Sequence, residues 1–176
     1  MEEINLPIPF ISQFDPQANE DAADNCGPDS AAMVLNFYGE KVTVNEIFEK
    51  TGAAKGGLIT IAQLQSAISS YGYHSEFKTG CTIEDLINLL KEGVAPIVLV
   101  HYGNLLSRED QHYQGPHFMV IDGARSDTVF ANDPDFFAQF RADGDHHAYT
   151  MTDFLAAWGD CHLDGNPDNG ILIIYP

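Results

Sequence analysis

A thiol becomes a working nucleophile when its thiolate is favoured and a base stands within hydrogen-bond reach. Cys26 meets the first condition in the stretch Asn25-Cys26-Gly27-Pro28. Pro28 suits the first turn of a helix and Gly39 its end, so Cys26 lies at a helix mouth, where the macrodipole favours an anion. Gly27 leaves the backbone N–H groups uncrowded around an incoming carbonyl. His117 supplies a candidate base. It starts an apolar strand after Gly115-Pro116, which can present the ring at the sheet end, and imidazole titrates in the right range. Asp133, in Asn132-Asp133-Pro134, ends the next expected strand. If residues 123–127 form a hairpin turn, the chain returns to His117, where a carboxylate can accept the second ring N–H and fix the tautomer. Gln13 lies upstream, and a side-chain amide near a nucleophile can donate to the oxyanion of a tetrahedral intermediate. Taken singly, each has an ordinary reading: a packed cysteine, a strand-end histidine, a turn aspartate before proline, a solvated glutamine.

The elements that must position these residues fall into two halves. Between Pro28 and Gly39, Ala31, Ala32, Met33, Val34, Leu35, Phe37 and Tyr38 are apolar on nearly every face, the pattern of a helix buried inside a domain. Three amphipathic helices follow. Thr43-x-x-Glu46 opens the first as a capping box, and Gly52 closes it. Thr60-x-x-Gln63 opens the second, with Ile61, Leu64, Ile68 and Tyr71 inward. Thr82 opens the third, with Ile83, Leu86, Ile87 and Leu90 inward. Strands are expected at 95–102, 117–122, 128–132 and 170–175, which are rich in Val, Ile and aromatics, and a short helix at 152–158. Helices first and strands afterwards predict an α+β fold rather than alternating α/β. Residues 1–176 read as one domain, helical to about 93 and sheet-forming from 94. Loops 103–116 and 159–169 are long and polar, as functional loops are.

The chain of 176 residues is 44% apolar, enough for a real core. It carries 26 acidic against 8 basic residues, a net charge of −18. That charge repels nucleic acid and anionic membrane surfaces. It reads either as solubility or as attraction for a cationic substrate. No run of apolar residues is long enough to cross a bilayer, and the N-terminus lacks the basic and apolar stretches of a secretory signal, so a cytoplasmic location is the default. Three cysteines, Cys26, Cys81 and Cys161, make no disulfide framework, although a Cys81–Cys161 bridge is conceivable. Asp143-Gly144-Asp145 and the acids from Asp160 to Asp168 lack EF-hand spacing. His146, His147 and His162 lack zinc spacing. No cofactor or metal is expected.

Gln13, Asn25-Cys26-Gly27-Pro28 with the helix to Gly39, Gly115-Pro116-His117-Phe118 and Asn132-Asp133-Pro134 together resemble the bacteriocin-leader (double-glycine) peptidases, family thirty-nine of the cysteine peptidases, and its broader relatives. Gly57-Leu58-Ile59-Thr60 before a helix, Thr82–Gly93 before the Pro96 strand and Met151–Trp158 before the last strand extend the resemblance over most of the chain. It implies a papain-like cysteine peptidase fold: a helical part with the nucleophile at a helix start, packed on an antiparallel sheet carrying His and Asp. It also implies hydrolysis of a peptide or protein substrate through an acyl-enzyme. Carried over by position, Cys26 attacks, His117 takes its proton, Asp133 orients His117, and Gln13 with the Cys26 backbone N–H forms the oxyanion hole. Gln13 precedes Cys26 across a longer, acidic gap than leader peptidases carry, a gap the broader relatives tolerate. Gln17 is the rival donor. Two other functions share these residues: a thiol-dependent amidase or acyl transferase on the same fold, and a binding module that has kept them without catalysis.

Overall fold

The computed structural model describes residues 3–15, 25–108, 111–162 and 169–176. Gln17 lies outside them, as do the acids between 163 and 168. A sheet of seven strands runs through the middle. Its strands are β1 (Ile4–Asn5), β2 (His74–Lys78), β3 (Pro96–His101), β4 (Pro116–Arg125), β5 (Thr128–Asn132), β6 (His147–Thr150) and β7 (Gly170–Tyr175). The order across the sheet is β2-β7-β3-β4-β5-β6, with β1 also paired to β4. Every pairing is antiparallel.

The helices are α1 (Cys26–Phe37), α2 (Val44–Thr51), α3 (Ile61–Ser69), α4 (Ile83–Lys91) and α5 (Met151–Trp158). They cover both faces, and the sheet's alternation sorts them. Ile97, Leu99, Phe118, Val120, Leu172 and Ile174 point to one side, into a core shared with α1, α2 and α3. Val98, Val100, Met119, Ile121, Ile171 and Ile173 point to the other, onto α4 and α5. Because successive side chains alternate and both faces are covered, these strands read as unbroken apolar runs. The family resemblance implied this α+β layout, helices packed on an antiparallel sheet, and the structure has it.

The helix starts follow their capping chemistry. The Thr43 hydroxyl accepts from Glu46 N, the Thr60 hydroxyl from Gln63 N, and the Thr82 hydroxyl from Asp85 N. Gly52 closes α2 in the left-handed region at φ 66°, where a Cβ would be strained. Helix α1 begins two residues earlier than Pro28, at Cys26 itself, and Gly27 through Leu35 are buried. Strand β4 is longer than expected and runs through Gly123 to Arg125, leaving a tight turn to β5. A register shift between Ile121 and Gly123 divides it. β3 pairs with β4 only as far as Val120. Beyond the bulge, β1 takes its place on that edge, opposite Gly123 and Ala124. A Cβ at Gly123 would lie 2.7 Å from the Ile4 carbonyl oxygen, so the approach of β1 requires glycine. This pairing brings the N-terminal segment beside the end of β5, where Gln13 N donates to Pro134 O at 3.0 Å.

Strand β6 is absent from the sequence reading, as is the 3₁₀ stretch Ala138–Gly144. In β6 only Tyr149 is buried, so no apolar alternation announces it. No helix among the described residues is long and apolar enough to cross a membrane. Cys26, Cys81 and Cys161 are all free thiols, so the conceivable Cys81–Cys161 bridge is not formed.

Candidate active site

Cys26 is the first residue of α1 and is half-buried at the helix mouth. His117 is the second residue of β4, paired with Val100 of β3 and 1% exposed. Its Nε2 lies 2.7 Å from Asp133 Oδ1. The other side of the ring faces Cys26, to which it is hydrogen-bonded. Asp133 follows the last residue of β5 and is held there by its backbone N–H, which donates to Gly144 O at 2.9 Å. A Cβ on Gly144 would sit 2.1 Å from the Asp133 carbonyl oxygen, so only glycine permits this contact.

Asn132, one residue earlier, points elsewhere. Its Nδ2 donates to Ile8 O at 3.0 Å and its Oδ1 accepts from His146 N at 2.9 Å. Adjacent residues at a strand end face opposite sides, and Asp133 is the one that faces His117.

Asp133 is fully buried and accepts four hydrogen bonds. Oδ1 takes His117 Nε2 and the Asp135 N–H at 3.0 Å. Oδ2 takes Arg108 Nη1 at 2.9 Å and the Tyr149 hydroxyl. Burial alone would push this carboxyl up, but the charges of Arg108 and His117 outweigh it and hold Asp133 well below the usual carboxylate range. For His117, burial pushes the imidazole down. The Asp133 charge and hydrogen bond, with a smaller contribution from Cys26, reverse this and raise it to about 10. The raised value makes the ring a cation at neutral pH, beside the Cys26 sulfur.

Sequence reasoning missed Arg108. Its guanidinium is buried between the rings of Tyr102, 4.3 Å from the centroid, and Phe136, 3.9 Å away. It also donates to the Asp135 carbonyl oxygen. The available signal was scarcity: with eight basic residues in the chain, an arginine in a loop next to the His117 strand is worth singling out. Asp135 and His112 were missed as well. Asp135 Oδ1 accepts from Gln13 Nε2 at 2.9 Å and contacts His112 Nε2 at 3.1 Å. Gln13 is 3% exposed, and among the described residues its Oε1 has no hydrogen-bond partner.

These side chains border one cleft of about 290 Å³, reached by Cys26, His117, Gln13 and Asp135. Phe14, Leu58, Ile59, Phe118 and Phe137 give it a largely apolar wall, with His112 and Tyr113 beside them. The other histidines that the sequence reading weighed are placed apart from it. His146 Nδ1 lies 2.7 Å from Asp122 Oδ2 with its ring stacked on Phe130, and His147 Nδ1 donates to Asp143 O. No cluster of three or more metal-ligating side chains occurs among the described residues.

A thiol at a helix start, an imidazolium and a buried carboxylate in hydrogen-bonded sequence can form and break an acyl–sulfur bond. Comparison with known proteins places the chain in a family. The Peptidase_C39 like family matches residues 5–162. The chain belongs to that family, and is a cysteine peptidase of it. Solved structures of similar fold include a protein described as a C39-like peptidase from Bacillus anthracis, at 18% identity and TM-score 0.68 over 100% of this chain and 99% of that one. A double glycine motif protease from an AMS/PCAT transporter, in complex with the leader peptide, aligns at 19% identity and TM-score 0.62 over 100% and 99%. The peptidase domain of Streptococcus ComA, a bifunctional ABC transporter, aligns at 17% identity and TM-score 0.65 over 95% and 97%. At such identities the likeness is one of fold. No curated protein sequence matches the chain.

Proposed function

We propose that Cys26, His117 and Asp133 are the catalytic residues of this Peptidase_C39-like protein, with Gln13 and the Cys26 backbone N–H as the oxyanion donors. The observation that carries the reading is the continuous chain from Asp133 through His117 to Cys26, opening onto a cleft that Gln13 also borders.

The imidazolium already carries its proton before substrate arrives. The Cys26 thiolate attacks the peptide carbonyl carbon, and the electron pair of the carbonyl moves onto oxygen. The Cys26 N–H and the Gln13 amide stabilise that oxyanion. His117 then gives its proton to the departing amine as the C–N bond breaks, leaving a thioester on Cys26. Neutral His117 takes a proton from water, the hydroxyl adds to the thioester, and the thiolate leaves. Throughout, Asp133 holds the ring in one tautomer and stabilises its cationic form. Arg108 and Tyr149 keep Asp133 ionised.

The substrate in this reading is a peptide with a bulky apolar side chain beside the scissile bond. The aromatic and aliphatic walls of the cleft support this: Leu58 is 64% exposed and Phe137 49% exposed, and both face it. The net charge of −18 favours peptides that are basic elsewhere in their sequence.

The test is a peptide-library digest read by mass spectrometry, with wild type beside Cys26→Ala, together with iodoacetamide titration of the thiol. Cleavage next to Leu, Phe or Tyr, abolished in Cys26→Ala, is expected. A library left intact by a chain whose Cys26 titrates normally refutes hydrolysis, and amide products formed only with added amine assign an acyl transferase instead.

A further inference from the structure

A side-chain amide serves an oxyanion only if its nitrogen points at it. The Gln13 amide could present either end to the cleft, because its oxygen and nitrogen have almost the same shape. With the amide turned over, an oxygen lone pair would face the developing negative charge.

The Asp135 carboxylate decides between the two. Gln13 Nε2 lies 2.9 Å from Asp135 Oδ1, and this bond is buried. Burial pushes the Asp135 carboxyl up, while the charges of His117, His112 and Arg108 act the other way; in its ionised form it only accepts hydrogen bonds. Turning the amide over would set Gln13 Oε1 against that oxygen, acceptor facing acceptor, with both buried. Among the described residues Gln13 Oε1 has no partner of its own, so of these contacts the one to Asp135 is what fixes the amide. The orientation therefore rests on Asp135. The same nitrogen carries a second N–H, and that one remains for the cleft.

Asp135 is itself fixed from three sides. Its backbone N–H donates to Asp133 Oδ1 at 3.0 Å, and its carbonyl accepts from Arg108. Its carboxylate contacts His112 Nε2 at 3.1 Å, while His112 Nδ1 lies 3.1 Å from the Tyr102 hydroxyl. With the Tyr102 O–H donating to Nδ1, His112 keeps its proton on Nε2 and gives it to Asp135. The backbone of Gln13 is tied to the same segment through Pro134 O.

We propose that Asp135 is the positioning residue of the oxyanion site: its carboxylate receives one N–H of the Gln13 amide and thereby aims the other at the carbonyl that Cys26 attacks. This rests on the reading of Cys26 and Gln13 given above.

The experiment compares wild type, Asp135→Ala, Asp135→Asn, Gln13→Ala and Asp135→Ala with Gln13→Ala. Two rates are measured on each purified chain. One is acylation of Cys26 by the p-nitrophenyl ester of an N-acylated phenylalanine, which passes through an oxyanion. The other is alkylation of Cys26 by iodoacetamide, which does not. Losing one oxyanion donor costs about 10²–10³-fold, so Asp135→Ala should slow the maximal acylation rate by about 10- to 100-fold, with half-saturation little changed and alkylation within about twofold of wild type. Asp135→Asn, whose amide oxygen still accepts from Gln13, should recover most of that loss. Adding Gln13→Ala to Asp135→Ala should cost little more than Gln13→Ala alone. Full acylation in Asp135→Ala, or fully additive losses in the double variant, overturns the proposal while leaving Cys26 and Gln13 in place. Equal losses of alkylation and acylation in Asp135→Ala also overturn it, since they mark general damage to the site. A wild-type chain acylated at a residue other than Cys26 overturns the underlying reading as well.

Discussion

The imidazolium of His117 has a thermodynamic signature that needs no substrate. An unfolded histidine releases its proton near pH 6.5, whereas folded His117 keeps it to about pH 10. Between those values the folded chain binds one proton more than the unfolded chain at this residue. The contribution of His117 to stability is therefore fully present below about pH 6.5 and is lost as pH rises through the folded value, at about 1.4 kcal/mol per pH unit. Cys26 contributes to the raised value, so removing it leaves a simpler pair. The measurement is accordingly made in Cys26→Ala, where Asp133, the larger of the two influences that raise His117, remains. Urea unfolding of Cys26→Ala and of Cys26→Ala with His117→Gln is followed from pH 6 to pH 10. Other titrating groups, including Cys81 and Cys161, contribute to both curves and cancel in their difference. That difference should shrink between pH 7 and pH 9, by at most roughly 3 kcal/mol, since the Cys26 share of the raised value is gone. Two parallel curves, or a difference that grows with pH, would refute the imidazolium and with it the ion-paired account of the site.

Labelling with limiting iodoacetamide near pH 6 should modify Cys26 first, since Cys161 is buried and burial pushes the Cys81 thiol up; equal labelling of the three would contradict it. Asp133→Ala should lower kcat/KM by about 10²-fold or more, and should also destabilise the fold by about 3–5 kcal/mol, because Arg108 is left buried without its counter-charge. Asn132→Ala should keep kcat/KM while losing about 1–3 kcal/mol in urea unfolding, from the unpaired Ile8 carbonyl and His146 N–H. Arg108→Met should destabilise the chain, and adding Asp133→Asn should recover part of that loss; strictly additive losses would show that the two do not act as a pair.

How much of this was legible depended on whether a residue's role is set locally. The apolar girth of α1, the capping boxes at Thr43 and Thr60, and the apolar runs of β3, β4, β5 and β7 follow from periodicity and end chemistry, and the sequence carries both. Cys26, His117 and Asp133 could be singled out because each sits in a short motif at an element boundary, and Gln13 by its place upstream of Cys26 in the family pattern. Asp133 could be chosen over Asn132 by the family pattern and by strand parity together. Arg108, His112 and Asp135 have no such local mark. They occupy loops, and their roles come from contacts with residues far off in sequence. Tyr149 was hidden for a related reason. It is buried to bond a carboxylate rather than to complete an apolar face, so β6 lacked the alternation that reveals a strand.

The bond from Gln13 to Asp135 spans 122 residues, and it has a consequence for the chain while it is being made. During translation Gln13 and Cys26 are made before the second half of the domain and can begin to fold, but the thiol then has neither His117 nor the Asp135 contact that holds Gln13. Those groups assemble only after the Asp133-Pro134-Asp135 segment has left the ribosome and closed back onto residue 13, a late and entropically costly contact. Within this domain the nucleophile is thus made before the groups proposed to activate it, and those close over it together with the finished sheet.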